Sequence, residues 1–116
     1  MSVTALTVYE PILAGTKPTP VAPSGTGLAN GVSFANDGQT CLVGINAGAG
    51  ASTPTYDATG SLGGVALADP TGTAIANDSV PVVMGPFDRA AFGSTVTIGF
   101  SLATGLTVFA VRLPRA

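Results

Sequence analysis

The stretch that decides the fold class is STVTIGFS, residues 94–101. Apolar and polar residues alternate along it, so that Val96, Ile98 and Phe100 fall on one face and polar residues such as Thr97 fall on the other. A period of two is typical of a β-strand that buries one face and exposes the other. The stretch therefore predicts a strand whose three apolar side chains enter a core.

The segment LTVFAVRL, residues 106–113, follows closely and is apolar on both faces as far as Arg112. Two apolar faces are typical of a strand at the centre of a sheet, or of one covered by a neighbour. The residues ATG, 103–105, between the two segments predict a tight hairpin that pairs them.

Further short strands are predicted upstream, from apolar or β-branched runs bounded by turn residues. They are VTALTVY (3–9), TCLVGIN (40–46), a short strand near 53–56, VALA (65–68), TAIA (73–76) and SVPVVMG (79–85). Pro81 predicts an edge position for the last of these, because proline donates no ladder hydrogen bond. Seven or eight short strands predict an all-β single domain over residues 1–116, a β-sandwich of jelly-roll or immunoglobulin-like type.

Residues 10–31 contain four prolines and four glycines and few apolar side chains. Such a segment cannot form a central strand, so an extended arm or a long loop is predicted. We expect this arm to lie along a neighbouring subunit or another protein, with Ile12 and Leu13 as its anchors.

The composition points to an assembled protein. Charged residues make up 9% of the chain, against roughly 25% in an average soluble domain, and the mean hydropathy is +0.51. A weakly charged monomer is poorly soluble, so we expect much of the surface to be buried in an assembly. The alternative is a monomer covered by Thr, Ser and Gly.

The net charge of −2 argues against binding to nucleic acid. No apolar run reaches the length of a membrane helix. The absence of a signal-peptide pattern favours a cytosolic origin.

Groups able to carry out chemistry are scarce. The chain has no histidine, which excludes Ser-His-Asp and Cys-His arrangements. Its aspartates stand in predicted turns, and a calcium site built on Asp37 or Asp78 is the one metal alternative. Cys41 is the single cysteine and lies in an apolar run, where a small buried residue is expected. We therefore predict no enzyme, no cofactor and no metal site.

The loop MGPFDRAAFG, residues 84–93, places charge and aromatic side chains together in a chain poor in both. One interpretation is a protein interface, with Phe87 and Phe92 as anchors and Asp88 and Arg89 as an orienting charge pair. The other is that the two phenylalanines plug one end of the sandwich while Asp88 caps a helical turn. For Arg89 we favour contact with a partner, because so neutral a chain offers it few internal ones.

Four stretches between residues 33 and 114 share motifs with one family of proteins. They are SFANDGQTCLVGINAG (33–48), GVALAD (64–69), VVMGPFDRAAFG (82–93) and VTIGFSLATGLTVFAVRLP (96–114). They resemble the small virion proteins of tailed bacteriophages that act as capsid decoration or minor head proteins. Members of that family tend to show an ANDGRT turn, a GLAVAD segment, an IGPFP loop and a final GVTVAVVRL strand. This chain departs from the pattern at Asp88, where many relatives have a second proline, and in a longer glycine-rich segment over residues 48–64.

The resemblance implies a structural protein of the virion that binds the major capsid protein on the outside of the shell. It also implies self-association, most often as a homotrimer, and synthesis in the host cytoplasm. Two alternatives stay open: a minor tail or fibre-associated protein, and a small carbohydrate-binding module. The second is disfavoured by the absence of tryptophan.

Overall fold

Alternating β-branched and apolar runs give this chain its strands, and turn residues separate them. The computed structural model describes residues 3–10, 15, 17–58, 61–62, 65–66 and 70–112. The strands are β1 (Thr4–Ala5), β2 (Val8–Tyr9), β3 (Val32–Ala35), β4 (Thr40–Asn46), β5 (Pro54–Tyr56), β6 (Ser61–Leu62), β7 (Val65–Ala66), β8 (Val82–Met84), β9 (Thr95–Phe100) and β10 (Leu106–Arg112). A 3₁₀ turn spans Leu28–Asn30, and a single α-helical turn, α1, spans Arg89–Phe92.

Eight of these strands form two mixed four-stranded sheets. Sheet I has the order β1-β3-β9-β5 and sheet II the order β2-β10-β4-β8, while β6 and β7 pair separately. The β1–β3 and β2–β10 pairs are parallel, and the other pairs are antiparallel.

The two sheets contribute to one core. Val96, Ile98 and Phe100 of β9 are at most 1% exposed, as the alternation predicted. They cluster with residues of sheet II that include Leu42 and Val108. The all-β prediction is confirmed at this level, because two sheets that share a core are compatible with a β-sandwich.

Several strand predictions are confirmed. Strand β4 occupies the predicted residues 40–46, β5 lies within the region expected near residues 53–56, and β10 is a central strand of sheet II. Strand β8 lies at the edge of sheet II, directly after Pro81.

The predicted hairpin at residues 103–105 is wrong. A turn is present, closed by the N–H of Leu106 donating to the carbonyl of Ala103 at 3.2 Å, but it connects β9 in sheet I to β10 in sheet II. Crossing between the sheets points the apolar faces of both strands at the same core. Ser52 holds the crossover, since its Oγ donates to the Leu102 carbonyl at 2.7 Å and accepts from the Leu102 N–H at 3.3 Å.

Two further strand predictions need correction. The predicted strand 3–9 is divided: β1 pairs with sheet I, and the chain then passes to sheet II as β2. A short apolar run does not indicate which sheet it joins. The single alternating pattern over residues 3–9 is therefore compatible with two strands in different sheets. The predicted strand 73–76 is reduced to one bridge, in which Ile75 and Ser52 exchange two backbone hydrogen bonds. Strand β7 covers the start of the run at 65–68, and residues 67–69 lie outside the described part.

The second half of the predicted arm is attached to the sheets. Val21 exchanges hydrogen bonds of 2.8 and 2.9 Å with Val108 of β10, and the Gly27 N–H donates to a carbonyl of β9 at 3.0 Å. Residues 21–31 are therefore integrated with the sheets. The prediction of a separate arm still applies to residues 10–20.

Candidate protein interface

The outer face of sheet II is apolar apart from Thr107, which lies opposite Ile45. The alternate residues Leu106, Val108 and Ala110 of β10 point into the core and are at most 1% exposed. Alternation therefore places Phe109 and Val111 on the opposite, outer side. The same parity applies to β4, whose outward residues pair directly with the outward residues of β10.

The strand register assembles these residues into rows. Phe109 lies opposite Val43, and Val43 lies opposite Val83 of β8, so three apolar side chains cross three neighbouring strands. Val111 lies between Cys41 and Tyr9 in the next row. We call this surface the apolar face. It comprises the exposed Val83, the half-buried Tyr9, Val43, Ile45, Phe109 and Val111, and the buried Cys41, none of which is charged.

The outer face of sheet I has the opposite character. Its cross-strand pairs are Ser33 with Thr97 and Thr55 with Gly99, and Thr95 lies opposite the exposed Ala35. We call this surface the hydroxyl face. The backbone of Gly27 and Leu28 covers this face at the buried Gly99. On the rest of the face, hydroxyl groups can hydrogen-bond to water without carrying charge.

One margin of sheet II exposes bulky apolar side chains. Val83 on β8 is 65% exposed and Val80, just before the strand, is 56% exposed. Strand β8 pairs with β4 on one side, and among the described residues no strand pairs with its other side. We call this margin the Val83 edge.

The opposite margin of sheet II contains a groove of about 220 Å³, which we call the Phe109 groove. Its lining residues are Ala5, Leu6, Thr7, Tyr9, Thr19, Val21 and Phe109. The backbone bridge between Val21 and Val108 fixes one of its walls. The groove and the Val83 edge thus lie on opposite margins of the same sheet.

The two predicted aromatic anchors fill the end of their own domain. Phe87 is 4% exposed, and its ring centroid lies 5.8 Å from that of Phe34, 5.3 Å from that of Tyr56 and 5.4 Å from that of Phe92. Phe92 is partly buried against the same cluster. These contacts match the alternative in which the phenylalanines plug one end of the sandwich.

The charged residues of the same loop are exposed. Asp88 caps α1, since its Oδ1 accepts from the Ala90 N–H at 3.1 Å, and Gly93, with φ 80°, ends the turn as predicted. Arg89 is exposed and makes no ion pair with any described residue. Its contact with a partner stays a prediction. The predicted anchors Ile12 and Leu13 lie outside the described residues.

One ion pair lies at the end of β10. The Nε of Arg112 contacts Oδ2 of Asp37 at 2.8 Å, beside a pocket of about 150 Å³. Asp37 Oδ1 accepts from the backbone N–H of Gln39 at 2.9 Å and from the hydroxyl of Thr40 at 3.2 Å. The hydrogen bond from the Gln39 N–H is the main cause of the lowered pKa of Asp37. Partial desolvation acts in the opposite direction, whereas the charge of Arg112 and the hydroxyl of Thr40 lower the pKa further. The pair orders the turn before β4.

The described residues offer little chemistry. No three of their His, Cys, Asp and Glu side chains lie close enough together to hold a metal ion. Cys41 is buried, which raises the pKa of its thiol and disfavours the reactive thiolate. Partial burial likewise raises the pKa of Tyr56. No helix in the described part is both long and apolar enough to cross a lipid bilayer.

Sequence reasoning recognised the residues of the apolar face without seeing that they form a surface. The sequence contained a signal for this surface, because segment 106–113 is apolar on both faces. Two apolar faces fit both a buried central strand and a strand covered by a neighbouring molecule, and the pattern does not show what lies against each face of the sheet.

Comparison of the chain with protein-family models, with curated proteins and with solved structures finds no match.

Proposed function

We propose that the chain is a structural protein of a bacteriophage virion, a capsid decoration protein that binds the outer surface of the shell formed by the major capsid protein. The observation that carries this proposal is the contrast between the two outer faces. A protein fixed to a shell needs one face that is buried against the shell and one that remains exposed to solvent. The apolar face supplies the first and the hydroxyl face supplies the second.

The low charge supports the same conclusion. Four basic and six acidic side chains share an accessible surface of 6249 Å². Contiguous apolar patches on the surfaces of soluble proteins mark sites of association. Val83 is the exposed part of this patch, and its other side chains are half-buried or, for Cys41, buried. An uncharged apolar patch fits a permanent structural contact better than a transient one, because permanent interfaces are the more hydrophobic.

The finer features belong to this proposal as well. We assign the sandwich to the jelly-roll or immunoglobulin-like type, and the assembled form to a homotrimer, as the family resemblance implies. Residues 10–20 are proposed to strap the subunit to a neighbour or to the shell, with Ile12 and Leu13 as anchors. Arg89, exposed and without an ion-pair partner in the described part of the chain, is proposed to contact the shell.

Binding to particles tests the proposal. Purified protein is mixed with virions or shells that lack it, and the bound fraction is measured by co-sedimentation. Val43→Glu places a charge in the middle of the apolar face and is expected to weaken binding by about 30-fold or more, the loss typical of an interface hot spot. Thr97→Glu, at the centre of the hydroxyl face, is the matched control and should bind as the unmodified chain does.

The copy number distinguishes the head from the tail. A decoration protein is expected in hundreds of copies per particle, whereas a tail component is present in a few to dozens. Equal binding by the two variants, or a low copy number in intact virions, would contradict the proposal.

A further inference from the structure

Asn30 and Gly31 form the only Asn-Gly pair of the chain, at the end of the 3₁₀ turn Leu28–Asn30. In such a pair the backbone nitrogen of the glycine can attack the side-chain amide of the asparagine, because the glycine has no Cβ to shield that nitrogen. We propose that Asn30 is a site of spontaneous deamidation in the folded protein, which converts it to aspartate and isoaspartate with water as the only co-reactant. This inference is independent of the proposed function.

The reaction takes place in two steps. The nitrogen of Gly31 forms a bond to Cγ of Asn30 while the bond from Cγ to Nδ2 breaks; the proton of the Gly31 N–H leaves with Nδ2 as ammonia, and a cyclic imide remains. Water then adds to one of the two imide carbonyls. Opening at Cγ gives aspartate, and opening at the main-chain carbonyl gives isoaspartate, in which the backbone runs through Cβ and Cγ. Neither step needs an oxidant or a reductant.

Packing requires glycine at position 31. Gly31 is buried against β9, and a Cβ at this position would collide with the carbonyl oxygen of Ile98. A bulkier residue after Asn30 would slow the attack, but the contact with sheet I leaves no space for one. The reactive pair is therefore a consequence of the close approach of this turn to β9.

The turn holds the attacking nitrogen weakly. The N–H of Gly31 donates to the Leu28 carbonyl at 3.5 Å, which is longer than the roughly 3.0 Å of an ordinary backbone hydrogen bond. None of the residues of the turn, Leu28–Asn30, is buried. Local opening of the turn therefore exposes little further apolar surface and needs little free energy.

The side-chain amide of Asn30 is accessible as well. Asn30 is half-buried, and its Nδ2 donates to the Thr26 carbonyl at 3.1 Å in an exposed hydrogen bond. The Asn30 carbonyl accepts from the Gly25 N–H at 3.1 Å and from the Ser24 hydroxyl at 3.2 Å. These hydrogen bonds can be exchanged for hydrogen bonds to water when Asn30 turns its Cγ towards the nitrogen of Gly31.

The other candidate positions are protected. Asn36 and Asn46 are 4% and 2% exposed, and the side-chain oxygen of each accepts from a backbone N–H at 3.0 Å. Asn77 is exposed, but an aspartate follows it, whose side chain shields the attacking nitrogen and whose charge opposes loss of its proton. Asp37 also precedes a glycine, but its carboxylate is paired with Arg112 at 2.8 Å, and an ionised carboxylate resists the same attack.

The two products differ in their effect on the fold. Aspartate keeps the length of the backbone and adds one negative charge to residues 18–36, which carry none. Isoaspartate adds a methylene to the backbone directly before Gly31, where the contact with Ile98 leaves no space. The Gly31 carbonyl also accepts from the N–H of Thr4 at 3.0 Å, which attaches β1 to the sheet. We expect isoaspartate to loosen the start of β3 and to lower the urea midpoint of the domain.

Incubation of the folded chain at mildly alkaline pH, in water enriched in the heavy oxygen isotope, tests the proposal. Tandem mass spectrometry of its peptides is expected to show the Asn30 amide replaced by a carboxylate with one heavy oxygen atom, formed at least about tenfold faster than at any other asparagine. An isoaspartyl methyltransferase should label the isoaspartate fraction. Asn30→Gln is the matched control, because its longer side chain disfavours the cyclic imide. This variant should show no such product at position 30, and circular dichroism checks that it folds.

A synthetic peptide of residues 25–35 gives the rate for the same sequence without the fold. The proposal is overturned if Asn30 stays intact in the folded chain over a period in which the peptide is converted, or if the other asparagines are converted as fast as Asn30. The products are then separated by chromatography, and the urea midpoint of each is measured. An isoaspartate fraction as stable as the unmodified chain would contradict the expected effect on β3.

Discussion

Replacing Phe100 by alanine should remove a large part of the stability of the domain. Phe100 lies on β9 and is 1% exposed, within the core cluster that both sheets share. Its ring is one of the largest fully buried side chains in the described structure. Nothing on the surface can replace the contacts it loses, so the full cost of truncation should appear in the free energy of unfolding.

The magnitude follows from two contributions. Burying a phenylalanine side chain is worth about 1.5–3 kcal/mol relative to leaving it exposed. A cavity of roughly 100 Å³, at about 24 cal/mol per Å³, adds about 2 kcal/mol. The expected loss of about 3–5 kcal/mol is a large share of the 5–15 kcal/mol by which a typical domain is stable.

Urea denaturation followed by far-ultraviolet circular dichroism measures this loss. Each variant is compared at the same protein concentration, because self-association raises apparent stability. Thr97→Ala on the same strand is the matched control: its side chain lies on the hydroxyl face, and removing it should cost under about 1 kcal/mol. Equal losses from the two variants would refute the reasoning, because they would mean that both faces of β9 are buried.

Three further predictions concern single features. Asp37→Asn removes a carboxylate whose pKa is lowered in the folded state. The stabilisation that this carboxylate gives is present above its ordinary pKa of 3.8, and it is lost as the pH falls through the pKa of the folded state. The two chains should therefore differ most in urea midpoint near neutral pH and converge in acid. Cys41 should react with iodoacetamide at pH 8 only as fast as the domain unfolds, since it is 5% exposed and burial raises the pKa of its thiol; rapid labelling of the folded chain would contradict its burial. Replacing residues 10–20 by a Gly-Ser linker of equal length should leave the urea midpoint nearly unchanged and weaken particle binding, whereas replacing residues 21–24 should destabilise the domain, because Val21 pairs with β10 and Pro23 is buried.

The strands were predictable wherever one residue pattern had one physical cause. Alternation in β9 reflects one buried and one outer face, and the period alone identified Val96, Ile98 and Phe100 as core residues. Proline chemistry placed β8 at an edge, and the capping preference of Asp88 located α1. In each case local backbone chemistry and the final packing favour the same structure.

The connections were not predictable from the same patterns. A short turn between two strands forms equally well within one sheet or between two, so the link from β9 to β10 could not be assigned from the residues at 103–105. The role of Asn46 was equally hidden. Asn46 is 2% exposed. Its Nδ2 donates to the carbonyls of Gly50 and Ile75 at 2.8 and 2.9 Å, and its Oδ1 accepts from the Gly48 N–H at 3.0 Å. A partner 29 residues away leaves no trace in a local pattern.

The scarcity of charge and the apolar face have a common physical explanation. In a monomer, both outer faces of a sandwich are in contact with water, and an unbroken row such as Val83–Val43–Phe109 would favour aggregation through the exposed edge of β8. Natural edges are commonly protected by charged residues, yet here the protection consists of a short strand preceded by Pro81. Proline limits uncontrolled strand pairing while leaving the side chains of Val80 and Val83 free to pack. An edge that resists β-pairing but presents apolar side chains is suited to a specific side-chain contact.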